Sequence, residues 1–132
     1  MKVGLVACSA QKADRPCAAK DLYQGALFKK SMAYLKGRVD AWAILSAKYG
    51  LVLPERVIKP YNLTLNTMKV KERRAWTWRV KGQLLDVFPK AELYIVLAGE
   101  RYRDALKGLP HTVPLRGLSI GKQLQWLTER LR

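Results

Sequence analysis

Residues 41–47 read "AWAILSA", an almost unbroken apolar run that breaks at Ser46 and leads into Lys48, Tyr49 and Gly50. An alternating run marks a strand with one wet face; a continuous one marks a strand covered on both faces. Two more runs share this character, "KVGLVAC" (2–8) and "ELYIVLA" (92–98). A weaker fourth, "HTVPL" (111–115), contains Pro114. Proline cannot donate to a strand ladder, so this run belongs at a sheet edge.

Helical spacing fills the intervals. Residues 25–36 place Phe28, Met32 and Leu35 on one side. A long segment, 67–88, starts with Asn66 or Thr67 as N-cap and stops before Pro89. Residues 100–108 align Tyr102, Ala105, Leu106 and Leu109, and Ser119 caps a final stripe of Ile120, Leu124, Leu127 and Leu131. Strand and helix therefore alternate. That order predicts an α/β fold: a single three-layer domain over 1–132, with a mostly parallel sheet of about four strands and helices on both faces.

The chain has 132 residues, close to the commonest size for one domain, and its 49% hydrophobic content suffices for one core. Its 25 Lys and Arg against 10 Asp and Glu leave a net charge of +15. Self-repulsion on that scale is unfavourable unless an anionic partner offsets it. Nucleic acid, DNA first, is the expected partner, because Lys and Arg neutralise phosphates and release condensed counterions. An anionic membrane surface ranks behind it. The apolar run at the N-terminus spans only about six residues, against about 7–15 in a signal peptide. No stretch approaches the ~20 apolar residues of a membrane span. With only Cys8 and Cys17, the chain is no disulfide scaffold. A cytoplasmic protein is expected.

In open α/β sheets ligands bind beyond the carboxyl ends of the strands. Three segments meet that condition and should converge on one edge: Cys8-Ser9 with Lys12, then Ser46 with Lys48, Tyr49 and Gly50, then Gly99 with Glu100. Small residues at 8–10 let a backbone N–H approach an anion, which Lys12 could hold. The connection 51–65 is long and apolar, and Pro54 and Pro60 stiffen it, so it can hold Tyr61 and Asn62 in place. Tyr23, before the first helix, joins Tyr49 and Tyr61 as a candidate for stacking on a base, with Tyr102 beside Glu100. Glu100 opens a helix: it either complements the dipole or, if buried, acts as acid, base or nucleophile. The stretch "KVKERRAWTWRVKG" (69–82) sets Lys69, Lys71, Arg73, Arg74, Arg79 and Lys81 against Glu72 alone, interleaved with Trp76 and Trp78. Cations among aromatics suit a phosphate-contacting surface. Two residues apart on a helix, the tryptophans face different directions, so at most one is exposed.

Other chemistries lack material. His111, the only histidine, starts the edge strand at the end away from the site and reads as a surface residue. One His and two Cys make no metal-ligand set, and no cofactor fingerprint or P-loop is present.

The motifs Cys8-Ser9 with Lys12, "KDLYQGALF" (20–28), "LSAKYGLVLPERVIKPYNLTL" (45–65), "LAGERY" (97–102) and "GLSIGKQLQWL" (117–127) together cover most of the chain. In them the chain resembles the YaaA-like (peroxide stress protein) superfamily, and more closely a short uncharacterised bacterial and phage domain family related to it. The resemblance implies an α/β fold and a DNA-binding protein that limits oxidative damage. The strand-end motifs are also similar to the uracil-DNA-glycosylase-like fold of some base-modifying enzymes, a fold-level analogy.

The leading expectation is a basic nucleic-acid-binding protein with a strand-end pocket for a nucleobase or nucleotide. It extends to glycosylase-like action on the base, with Glu100 as acid or base and Ser9, Ser46 and Tyr61 positioning the substrate. A non-catalytic DNA-binding, stress-protection or interaction protein, and an enzyme acting on free nucleotides, stay open, as does the oligomeric state.

Overall fold

The computed structural model describes residues 1–132. The chain runs through β1 (Lys2–Ala7), β2 (Cys17–Ala18), α1 (Ala19–Leu22), α2 (Ala26–Leu35), β3 (Ala41–Ser46), β4 (Gly50–Val52), β5 (Val57–Ile58), a 3-10 turn (Leu65–Thr67) and α3 (Val70–Val87). It continues through β6 (Leu93–Leu97), α4 (Glu100–Arg103), a second 3-10 turn (Asp104–Leu106), β7 (His111–Thr112) and α5 (Ile120–Arg130). The fold is α/β, as the alternating pattern predicts.

The main sheet has five strands in the order β4-β3-β1-β6-β7. β3 and β6 flank β1 in parallel, β7 is parallel to β6, and β4 is antiparallel to β3. Pro114 follows the short edge strand β7, as the edge assignment requires. The count of about four strands is corrected to five. Gly50, at φ 74°, turns the chain back so that Ser46 faces Gly50 and Ile44 faces Val52. That hairpin lacks the Asn-Gly or Asp-Gly pair that advertises a tight turn, so 50–52 read as loop. The rest of that connection is also partly ordered: β5 pairs with β2 in a separate two-stranded sheet, too short for any periodicity to register.

Along β1 successive side chains point to opposite faces. Val3 and Leu5 join a core with Trp76, Val80 and Leu84 of α3. Val6 joins another with Phe28 and Leu35 of α2 and Leu127 of α5. Both faces of the strand are thus covered, which is why its sequence does not alternate. Gly4 lies under α2, where an added Cβ would sit 2.6 Å from Leu35 Cδ1; the close approach of helix to strand needs glycine there.

Helix bounds shift by a few residues. α3 starts at Val70; Asn66 and Thr67 lie in the preceding 3-10 turn, where the Thr64 side chain accepts from the Asn66 N–H. Ser119 caps α5 by accepting from the Lys122 N–H. Within α5 Leu127 is buried while Ile120 and Leu131 are exposed, so the core takes only the middle of that stripe. Trp76 is buried and Trp78 exposed, as the two-residue offset requires. No helix is long and apolar enough to cross a membrane.

Candidate functional site

The chain leaves β1 for β3 on one side and later inserts β6 on the other. The carboxyl ends of β1 and β6 therefore form the point where the winding reverses, the place where open α/β sheets leave a crevice. A cavity of about 400 Å³ opens there, within the range of small-ligand sites. Cys8 and Ser9 border it after β1, and Ala98, Gly99 and Glu100 after β6. Phe28 and Ser31 of α2, Leu115, Leu118, Gln123 and Arg103 also line it. The lining is mostly apolar, with a few polar groups placed around it.

These groups are held in place. Ser9 Oγ donates to the Gln11 carbonyl at 2.9 Å and accepts from the Gly25 N–H at 3.3 Å. Arg103 Nη1 donates to the Ala98 carbonyl at 3.3 Å, tying the guanidinium to the end of β6. Gln123 Nε2 donates to the Leu118 carbonyl at 2.9 Å. Glu100 is exposed on the rim.

The third strand end turns elsewhere. Ser46 to Gly50 do not border the cavity. Instead, the Tyr61 hydroxyl sits 2.7 Å from both the Tyr23 hydroxyl and Ser46 Oγ. Ser46 Oγ also accepts from the Tyr49 N–H at 3.1 Å, and the Ser46 carbonyl accepts from Trp76 Nε1 at 2.8 Å. Lys12 Nζ lies 4.5 Å from the centre of the Tyr61 ring. Tyr102 lies below, its hydroxyl 3.5 Å from Cys8 Sγ and accepting from the Leu65 N–H at 3.4 Å. Cys8 is the residue shared by the cavity and this hydroxyl network. The predicted site residues thus fall into two neighbouring groups. Cys8, Ser9, Gly99 and Glu100 face the cavity; Tyr23, Ser46, Tyr49 and Tyr61 form the network beside it, with Lys12 over the Tyr61 ring and Tyr102 reaching Cys8.

The remaining candidates are peripheral. Lys48 is exposed beside the Tyr49 ring, Gly50 makes the turn into β4, and Asn62 is exposed. Tyr23 is wholly buried against Phe28, with ring centroids 5.1 Å apart, so it has no face to offer a base. Tyr61, directly after Pro60, turns its hydroxyl inward to Tyr23 and Ser46. Sequence reasoning missed Ser31, Arg103 and Gln123. Ser31, a polar residue buried between the apolar positions of α2, carried a faint signal; the other two carried none.

Burial raises the pKa values of the buried tyrosines. It pushes Tyr23 up to about 12, against a smaller opposing effect of its hydrogen bonds to Tyr61 and Ser46. Burial also raises Tyr61, Tyr102 and Tyr94. The folded state therefore holds these protons more tightly than the unfolded chain. Their stabilisation is complete below the ordinary tyrosine value of 10.0 and is lost as the pH climbs through that value towards about 12. Lys12, lowered chiefly by burial, acts in the opposite sense below its own ordinary value and offsets nothing above it. The protein is expected to unfold cooperatively in this alkaline window, with buried phenolate absorbance and loss of helical circular dichroism rising together. Phenolate signal from all tyrosines well before the dichroism changes would contradict the buried network.

The basic stretch lies on α3. Lys69, Lys71 and Arg74 are exposed. Arg73 donates to the Met68 carbonyl, Arg79 to the Lys48 carbonyl and Lys81 to the Lys107 carbonyl. No group of three or more His, Cys, Asp or Glu side chains gathers where a metal could bind. Both cysteines are free thiols, and His111 is half-buried, its Nδ1 2.7 Å from the Leu109 carbonyl.

Residues 3–129 match the model of DUF6884, described as a family of unknown function. No curated protein and no solved structure matches the chain.

Proposed function

The chain belongs to the DUF6884 family, and from that premise we propose that it is a basic nucleic-acid-binding protein, acting on DNA in the cytoplasm, whose cavity between β1 and β6 receives a nucleobase or nucleotide. The observation that carries this reading is the position of that cavity. It lies at the reversal of strand order, is mostly apolar and about 400 Å³ in volume, and belongs to a chain of net charge +15. An apolar slot with a few fixed polar groups suits a planar base, and the charge suits the phosphates that accompany it. On this reading the fold is a three-layer sandwich, and the resemblance of its motifs to the YaaA-like superfamily extends to its partner.

Ser9 and Arg103 are the polar groups for the base or its phosphate. Glycosylase-like action would require Glu100 as acid or base. Its exposure favours the second reading, a non-catalytic binding protein, because a carboxylate on the rim stands in water rather than enclosed against a bound base.

Gly99→Phe tests the pocket. An added Cβ there meets nothing within 4 Å, so a side chain can start at the mouth without a clash at its first atom. The expected result is a loss of affinity for base-containing DNA of about tenfold or more, roughly 1.4 kcal/mol, at an unchanged melting temperature. Unchanged affinity would remove the pocket from the proposal. In the same assay, mass spectrometry of the DNA looks for released base. Release lost in Glu100→Gln with binding intact assigns catalysis; no release from the unaltered protein assigns a binding role.

A further inference from the structure

Trp78 is 78% exposed, an unusual state for the largest side chain of a small domain. Of the other three tryptophans, Trp42 packs half-buried against the core of α2 and α5, and two have ring partners. Trp76 packs edge-on against Tyr102, and Trp126 packs against Tyr34 and beneath Arg130. Trp78 lies instead in a groove of about 320 Å³ formed with Arg74, Thr77, Lys81, Asp104 and Lys107. Lys71, Arg74, Trp78 and Lys81 follow one another at spacings of three, four and three, so they share one face of α3. Lys81 is fixed by its bond to the Lys107 carbonyl, and Asp104, the only acid of the groove, is paired with Lys107 at 3.5 Å. The groove is therefore an exposed aromatic ring flanked by cations, of which Lys81 is anchored. It is distinct from the cavity at the strand ends and shares no residue with it.

We propose that this groove is a stacking platform for an unpaired base, so that the partner of α3 is single-stranded nucleic acid. The proposal deepens the nucleic-acid reading given above and rests on it. Charge complementarity selects the occupant: a second copy of the chain would also carry +15 and be repelled. A duplex would satisfy the cations but not the ring, because paired bases hide their faces in the stack. A single strand offers both phosphates and free base faces, and every base has such a face.

Binding of a short thymidine strand is compared with that of an abasic strand of equal length and charge, at low salt, for the unaltered chain and for Trp78→Ala and Trp78→Phe. Alanine is the better helix former, and circular dichroism verifies that the fold is kept. The unaltered chain is expected to prefer the thymidine strand by about ten- to a hundredfold, the range of one aromatic stack. Trp78→Ala erases that preference without weakening the abasic strand, and Trp78→Phe keeps most of it. Equal binding of the two strands by the unaltered chain, a preference that survives in Trp78→Ala, or tighter binding of duplex than of either strand overturns the platform while leaving nucleic-acid binding in place. Failure to bind any of the three overturns both. Sedimentation covers the remaining occupant: self-association lost in Trp78→Ala would make the groove an interface between copies and end the proposal.

Discussion

Replacing Trp76 with alanine is expected to cost about 3–5 kcal/mol of folding stability, the range for removing a buried tryptophan. Small domains have about 5–15 kcal/mol in total, so the variant should stand near the edge of unfolding. Three losses combine. The ring is 3% exposed, and its removal leaves a void in the core shared by α3, β1 and β3. Its edge-on packing against Tyr102, at 5.6 Å between centroids, disappears. The Ser46 carbonyl loses the Nε1 donor. Trp76→Phe separates these effects. It keeps most of the apolar ring and gives up the donor, so it should cost about 1–3 kcal/mol, the penalty of one buried group left unsatisfied. Urea denaturation at unchanged slope measures both. A Trp76→Ala variant within about 0.5 kcal/mol of the parent, the scatter of surface substitutions, would contradict the packing of α3 against the sheet.

Affinity for a single strand should fall steeply with salt. Six cations lie on α3, Lys69, Lys71, Arg73, Arg74, Arg79 and Lys81, of which Lys69 precedes the first turn. If each neutralises one phosphate, the logarithm of the association constant falls with a slope of about −4 against the logarithm of salt concentration. Between 50 and 200 mM salt that is a loss of about 300-fold. Arg73, Arg79 and Lys81 already donate to backbone carbonyls, which holds them in place and leaves their remaining N–H groups available. Lys71→Gln with Arg74→Gln should shallow the slope by about 1.4, the sum of two contacts. Salt-insensitive binding would sink the phosphate-contacting role of the helix.

The parallel strands were legible because burial on both faces writes the same apolar run three times, at 2–8, 41–47 and 92–98. Pro114 marked the edge strand, and Ser119 and Pro89 marked helix ends, because capping and the missing proline N–H act locally. What stayed hidden depends on partners far away in the chain. β4 exists because Gly50 takes a left-handed conformation and Gln83 Oε1, from α3, accepts from the Leu51 N–H at 2.8 Å. β2 and β5 exist only as each other's partner. The candidate site was legible as strand ends, Cys8, Ser9, Gly99 and Glu100. Its division was not, because whether Ser46 and Tyr61 face a ligand or each other is a matter of a few ångströms of side-chain placement. Nor could periodicity tell which tryptophan of α3 the core would take, only that it would not take both.

The order β4-β3-β1-β6-β7 also sets a sequence of events in time. β1 is the central strand, and its pairing with β3 uses residues made in about the first third of the chain. Its other edge waits for β6: Lys2 lies opposite Leu93 and Val6 opposite Leu97. Until then β1 presents an open, apolar row of unpaired backbone groups, a template for wrong partners, and the long loop must be closed before the pairing rewards it. During synthesis the cavity between these two strands cannot exist until most of the chain has emerged. The residues of the proposed ligand site are therefore complete only late in synthesis, and a ligand that enters it would act as a latch on the strand pairing most distant in sequence.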